Sequence, residues 1–108
     1  MKSTATATAV LAFGLMLGAA WAQAPGDAAA GHATADRLCG ECHAIEKGQE
    51  ISPHMQAPTF TAVANAPGRT ATSLRVWFQS PHRSMPDYII GERESADLIA
   101  YILSLKSR

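Results

Sequence analysis

The sequence contains little charge of either sign and no block of like charge. Its 108 residues include nine Lys plus Arg and nine Asp plus Glu, and charged residues make up 17% of the chain. Proteins that bind nucleic acid usually carry a basic cluster, and segments that bind a membrane surface often carry a strongly charged tail. The composition therefore predicts neither kind of partner, although it leaves room for a local charged patch.

The chain also lacks internal repeats, low-complexity segments and the apolar–polar alternation of β-strands. Two segments have helical periodicity instead. Near the start, Asp27 is placed to cap a helix whose small-residue stripe comprises Ala28, Gly31, Ala35 and Leu38. Near the end, Gly91 precedes a helix with Glu92 and Glu94 in its first turn, Lys106 and Arg108 near its other end, and an apolar stripe of Leu98, Tyr101, Ile102 and Leu105.

Between these helices the sequence predicts shorter elements and loops. Residues 59–65 suit one short helix. A further helix is expected to be capped by Thr72 or Ser73, and to end before Pro81 after passing through Leu74, Val76, Trp77 and Phe78. Residues 45–59 and 80–91 are rich in loop formers. The predicted fold class is all-α.

A long apolar run occurs only at the N-terminus. Lys2 is followed by an uncharged stretch from Ala5 to Ala20, and then by Ala20-Trp21-Ala22. This order predicts a secretory signal peptide over residues 1–22 and a mature domain over residues 23–108 in the periplasm; cleavage after Ala24 is the other option. A retained membrane anchor is the alternative, but spanning a bilayer takes about 20 apolar residues. No later segment could span a membrane.

Cysteine is scarce, and both cysteines lie in Cys39-Gly40-Glu41-Cys42, directly before His43. In an oxidising compartment two neighbouring thiols are expected to be bonded to something. The Cys-x-x-Cys-His pattern is that of covalent haem c attachment. Both thiols add to vinyl groups of the porphyrin, and the imidazole of His43 then lies where it can bind the iron. One haem would also enlarge the core of a mature domain of only 86 residues.

Other interpretations of the two cysteines are weaker. A redox-active pair is expected beside a βαβ pattern, which the sequence lacks. A zinc site needs two more ligands, and the remaining histidines, His32, His54 and His82, form no H-x(3–5)-H pair. A simple disulfide leaves His43 without a role and the small core without support.

The mature chain resembles the class I cytochromes c over nearly its whole length. The resemblance rests on Gly26-Asp27, Gly31, Cys39-Gly40-Glu41-Cys42-His43, Ala57-Pro58-Thr59-Phe60, Met85-Pro86 and Asp97-Leu98-Ile99-Ala100-Tyr101-Ile102. It implies a cytochrome c fold, in which the N- and C-terminal helices cross with Gly31 beneath the ring of Tyr101. Short helices and loops then wrap one covalently bound haem.

The resemblance also implies His/Met ligation of the iron, by His43 and Met85. A thioether ligand raises the reduction potential. Met55 is the other methionine of the mature domain, but it lies only 12 residues after His43, in the loop expected on the histidine side. Met85 as core filler, and His54 or His82 as ligand, remain open alternatives.

Supporting roles can also be predicted, the first of them from the resemblance and the others from residue type and position. The carbonyl of Pro58 would accept a hydrogen bond from His43, although Pro58 as a simple turn former is an alternative. Either Trp77 or Phe78 would face the haem, and a buried Trp77 indole N–H would donate to a haem propionate. Arg75 or Arg83 would neutralise a propionate, unless both are simply solvated.

The function implied by the resemblance is single-electron transfer rather than enzymatic catalysis. The expected partners are redox proteins of the periplasm, and the protein is expected to act as a monomer or as a subunit of a redox complex. Two alternatives are an electron-accepting subunit of a periplasmic dehydrogenase or oxidase, and a haem sensor with a displaceable ligand.

Overall fold

The computed structural model describes residues 26–107, and the predicted signal peptide over residues 1–22 lies outside them. These residues form four helices and no strand. The all-α prediction is therefore confirmed for this part of the chain. The helices are α1 (Ala28–Leu38), α2 (Phe60–Asn65), α3 (Ala71–Phe78) and α4 (Glu92–Ser104). Within residues 26–107 no helix has the length and apolar character needed to cross a membrane.

Helix α1 begins at the predicted cap. The Oδ1 atom of Asp27 accepts hydrogen bonds from the backbone N–H groups of Ala29 at 2.9 Å and Ala30 at 3.4 Å. The backbone N–H of Asp27 donates in turn to Oδ1 of Asp97 in α4, at 2.7 Å. The start of the first helix is thus attached to the middle of the last one, 70 residues away in sequence.

Gly31 is the point of closest approach between α1 and α4. A Cβ atom added there would lie 1.9 Å from the carbonyl oxygen of Asp97 and 2.8 Å from Cβ of Tyr101. Both Gly31 and Ala35 are buried. The small-residue stripe therefore lets a second helix backbone come into direct contact.

Helix α4 provides most of the core. Its residues from Asp97 to Ile102 are all buried, which is a wider buried surface than the single predicted stripe. The reason is that α4 packs against α1, α2 and α3 at once. The helix ends at Ser104 with no basic residue in its last turn, so Lys106 lies near the helix end, as predicted, but two residues beyond it. There, Nζ of Lys106 donates to the carbonyl of Arg69 at 3.2 Å.

The prediction that Thr72 or Ser73 caps α3 is wrong. Thr70 is the N-cap, and its Oγ1 accepts from the backbone N–H of Ser73 at 3.1 Å. The hydroxyl of Ser73 accepts in return from the backbone N–H of Thr70 at 2.9 Å. This reciprocal capping box satisfies two N–H groups that a helix start otherwise leaves unpaired, so it fixes the start of α3 two residues earlier than Thr72.

Candidate functional site

The two cysteines and His43 lie on one turn that leaves the end of α1. Cys39 is the C-cap of this helix, and its N–H donates to the carbonyl of Ala35 at 2.8 Å. The carbonyl of Cys39 accepts from the N–H groups of both Cys42, at 3.1 Å, and His43, at 2.9 Å. Both cysteines are free thiols. Because this turn is held by backbone hydrogen bonds, the two thiols and the imidazole keep a fixed order at the helix end.

The ring of His43 is oriented by Pro58. Its Nδ1 atom lies 2.6 Å from the carbonyl oxygen of Pro58, to which the resemblance assigned this role. A carbonyl oxygen can only accept a hydrogen bond, so Nδ1 carries the proton. In the neutral ring the lone pair then lies on Nε2, the atom that is left to bind a metal ion. A fixed acceptor of this kind sets both the orientation and the basicity of a ligating histidine.

The backbone on either side of His43 is also held in place. The carbonyl of Cys42 accepts from the N–H of His54 at 3.1 Å, and the N–H of Ala44 donates to the buried hydroxyl of Ser52 at 3.0 Å. The carbonyl of Ala44 accepts from the N–H of Phe60 at 2.9 Å. The Phe60 ring packs near that of His43, with 5.5 Å between the ring centroids. The loop over residues 46–58 is therefore what immobilises the imidazole.

Tyr101 connects this region to α4. Its buried hydroxyl donates to the carbonyl of Ile45, two residues after His43, at 2.7 Å. Burial, with a smaller contribution from the negative charge of Glu46, raises the pKa of this phenol. Tyr101 thus has a second role besides packing against Gly31, because it fixes the chain that follows His43.

Replacing Tyr101 by Phe is expected to lower the free energy of unfolding by about 1–3 kcal/mol, because the carbonyl of buried Ile45 then has no donor. Since the folded-state pKa of Tyr101 is raised, the hydroxyl's contribution is fully present below the ordinary phenol pKa of about 10. It is lost as the pH rises through the folded-state value. Urea unfolding of both proteins at neutral pH and at about pH 11 measures this. Equal stability of the two proteins at neutral pH would contradict it.

The two thiols of the turn differ in their surroundings. Burial, with a smaller contribution from neighbouring Cys42, raises the pKa of the Cys39 thiol from 9.0 to about 11. Cys39 is therefore almost entirely protonated at neutral pH. Thiol–disulfide exchange proceeds through a thiolate, and reactive cysteines accordingly have lowered pKa values. The surroundings of Cys39 raise its pKa instead, so they do not favour thiol–disulfide chemistry of the cysteine pair.

Met85 lies in the wall of a separate cavity, formed by the end of α3 and the loop over residues 79–91. The cavity has a volume of about 260 Å³, and neither His43 nor the two cysteines belong to its lining. The lining combines apolar residues with the polar residues Gln79, Ser80, His82 and Asp87. Its apolar members are Trp77, Phe78, Pro81, Met85, Pro86, Tyr88 and Ile90. The predicted site residues therefore fall into two groups, one around His43 and one around Met85.

Trp77 and Phe78 differ in exposure, as expected for neighbouring residues on a helix. Phe78 is partly buried and packs against the core, whereas Trp77 is 49% exposed and lines the cavity. The predicted hydrogen bond from Trp77 to a haem propionate required a buried indole. Because Trp77 is about half exposed, the structure does not support that prediction. Arg75 and Arg83 are both exposed.

Met55 and His54, the other ligand candidates in the first loop, are both solvent-exposed. The side chain of Met55 is 92% exposed, in contrast to that of Met85, which is half-buried. His54 contributes its backbone N–H to the turn that precedes His43. Neither side chain lines the cavity around Met85.

Two residues of the site, Ser52 and Phe60, were not assigned a role from the sequence, and the surroundings of a third, His82, were not foreseen. Ser52 holds Ala44, and no spacing or motif indicates this. Phe60 packs against His43. The only sequence feature that could have indicated this contact is its position two residues after Pro58. His82 was considered from the sequence only as an alternative iron ligand, and its ring packs on Trp77 with 3.6 Å between centroids. Its Nε2 atom is shielded from solvent and has no hydrogen-bond partner among the described residues.

A scan against protein-family models, and searches of curated proteins and of solved structures, found no match to this chain. Within residues 26–107, no group of three or more His, Cys, Asp and Glu side chains is arranged to hold a metal ion.

Proposed function

We propose that this protein is an exported single-electron carrier of the class I cytochrome c type. One haem c is attached covalently through Cys39 and Cys42, and His43 and Met85 are the axial ligands of its iron. The signal-like N-terminus supports export to the periplasm. Bound haem supplies reversible one-electron chemistry between Fe(III) and Fe(II), and the chain's own residues hold, orient and shield it.

The observation that carries the proposal is the hydrogen bond from His43 to Pro58. In a Cys-x-x-Cys-His motif the histidine must present Nε2 to the iron, and a proton on Nδ1 leaves exactly that atom free to bind; the 2.6 Å contact with the Pro58 carbonyl holds the proton on Nδ1. A histidine that only packed against Phe60 would need no such arrangement. The hydrogen bonds of Cys42, Ala44 and Ile45 keep the ring in this position when the charge of the iron changes.

The raised pKa of Cys39 supports thioether formation over a redox-active pair. A protonated, buried thiol does not take part readily in exchange with other thiols. A thioether has no ionisable group, so its burial carries no such electrostatic cost. Cys39 also belongs to the hydrophobic core cluster, where a porphyrin edge joined to its sulfur would extend the apolar contacts of α1.

The large apolar side chains in the cavity wall around Met85 support the same cofactor. Large apolar side chains that remain exposed often mark a surface that a ligand or partner covers. Trp77, Tyr88 and Val76 are each about half exposed, at 49%, 47% and 57%, and Trp77 and Tyr88 line the cavity. A flat apolar macrocycle would cover such side chains, and the thioether of Met85 offers a soft ligand from the same wall.

A carrier, rather than a catalyst or a gas sensor, follows from the two ligands. When both axial positions are occupied by protein side chains, no position is open for oxygen or substrate. Fixed ligands also limit rearrangement on oxidation, which suits rapid transfer. The roles left to the chain are to exclude water from the iron and to expose one edge of the cofactor to a redox partner.

The proposal is tested by expressing the full sequence in bacteria competent in cytochrome c maturation and purifying the periplasmic protein. We expect a coloured protein with one haem per chain by pyridine haemochrome analysis and a mass equal to the mature chain plus one haem. The ferric form should have the weak red absorption band of sulfur-to-iron ligation, and the ferrous form should not bind carbon monoxide at neutral pH. A colourless protein with the mass of the bare mature chain would rule out the proposal, and ready binding of carbon monoxide would rule out the Met85 ligand.

A further inference from the structure

We propose that His82 is a reserve iron ligand, which takes the position of Met85 whenever the thioether leaves the iron. This inference rests on the proposed function, since it concerns the axial position opposite His43. It assigns the protein two alternative ligands in the loop over residues 79–91. The resting protein keeps Met85, and His82 prevents the iron from becoming open to outside ligands.

The first support is the state of the His82 ring. Its Nε2 atom is shielded from solvent and has no hydrogen-bond partner within residues 26–107. Nearly all buried polar atoms in proteins have a partner, because losing water without replacement is unfavourable, and an exception calls for an explanation such as a bound ion. The His82 nitrogen is therefore committed to no other group, and a turn of the ring away from Trp77 would present its lone pair to a metal.

The second support is the position of the ring. His82 and Met85 line the same cavity, so both side chains border the same space. The imidazole packs edge-on against the indole of Trp77, with an interplanar angle of 78°. An N–H pointing at the indole face would be only a weak substitute for a hydrogen bond. The Trp77 contact therefore holds the ring near the cavity without satisfying its nitrogen strongly.

The third support is the loop that carries both residues. His82 and Met85 are three residues apart in a segment without helix or strand. No backbone–backbone hydrogen bond involves residues 81–85 in the part of the chain that the structure describes. Segments with few backbone hydrogen bonds move at low free-energy cost. A small shift of this loop can therefore exchange one side chain for the other without disturbing the four helices.

The chemistry of the exchange involves no electron transfer. The bond between the Met85 sulfur and the iron breaks, and a bond forms from the Nε2 lone pair of neutral His82, whose remaining proton stays on Nδ1. A thioether favours Fe(II) more than an imidazole does. The exchange is accordingly favoured in the oxidised protein, where it lowers the reduction potential.

The test compares variants that lack the Met85 sulfur. We expect ferric Met85→Ala at neutral pH to lose the red sulfur-to-iron band but to remain six-coordinate and low-spin by absorption and electron paramagnetic resonance. Met85→Ala combined with His82→Ala should become high-spin. Added imidazole should bind the double variant at least about tenfold more tightly, because His82 no longer occupies the position in most molecules.

The matched control is Met85→Ala combined with His54→Ala, since His54 is exposed and does not line the cavity. This variant should behave like Met85→Ala alone. Met85→Leu, which nearly preserves side-chain volume, should give the same set of results if the alanine variant is unstable.

Two outcomes would overturn the role of His82 while leaving the proposed function intact. One is a high-spin Met85→Ala protein that binds imidazole as tightly as the double variant. The other is a double variant that stays low-spin, which would place another residue on the iron. A wild-type protein without covalent haem would overturn both proposals, and pyridine haemochrome analysis separates this case from the other two.

Discussion

Exported protein with both Cys39 and Cys42 replaced by Ala is expected to contain no covalent haem. In the proposed holoprotein two thioethers would hold the porphyrin to the chain, whereas ligation by His43 and Met85 alone would be reversible. Extraction with acidified acetone should leave all of the haem with wild-type protein and none with the double variant. The loss is thus expected to be complete, which makes it the largest effect predicted for this protein.

The single variants and a histidine control make this prediction specific. Cys39→Ala and Cys42→Ala each leave one vinyl group conjugated with the porphyrin, so the pyridine haemochrome band should shift to longer wavelength in any haem that remains attached. His54→Ala keeps the whole motif and should retain the wild-type band and haem content. Haem that resists extraction from the double cysteine variant would contradict attachment at these positions.

Substitution of Gly31 is expected to have the largest effect on stability. In Gly31→Ala the new Cβ would meet the carbonyl oxygen of Asp97 at 1.9 Å, and this backbone atom cannot move without shifting α4. Overpacking of this kind costs about 1–3 kcal/mol or more, whereas alanine gains about 0.5–1 kcal/mol over glycine inside a helix. The net result should be destabilisation, and Gly31→Val should be worse because it adds two further methyl groups.

Thermal unfolding of the holoprotein measures this effect. Each 1 kcal/mol lowers the midpoint by about 4–8 °C in a domain of this size. Ala33→Val is the matched control, since Ala33 is an exposed residue of the same helix and should lose only about 0.7 kcal/mol or less of helix propensity. If Gly31→Ala unfolds at the wild-type temperature or above it, the close contact between α1 and α4 is not maintained in solution.

Much of the local structure was predictable because it depends on neighbouring residues. The Asp27 cap, the short helix after Thr59 and the buried stripe of α4 all follow from side-chain type and spacing within one or two turns. The wrong prediction of the α3 cap also came from reasoning about neighbouring residues. Thr70, Thr72 and Ser73 are all good caps by type, and only the paired hydrogen bonds of Thr70 and Ser73 decide among them.

The site was predictable only in part. The Cys-x-x-Cys-His motif can be recognised in the sequence because covalent haem attachment requires a fixed spacing of its residues. The roles of Ser52 and Tyr101 were not predictable, because each side chain acts on the backbone near His43 from a distance in sequence, 8 residues in one case and 56 in the other. No local pattern encodes contacts of this kind.

The sequence by itself determined the helical class of the described residues, the helix positions to within a few residues, and the set of atoms available for binding: two thiols, one adjacent imidazole and a thioether before a proline. Only the tertiary structure decided that Ser52 and Tyr101 hold the backbone beside His43, and that His82 rather than His54 borders the same cavity as Met85. The physical reason is the separation in sequence between the residues that interact. Helix formation and motif chemistry act between near neighbours, whereas orientation and burial depend on which distant segments the core brings together.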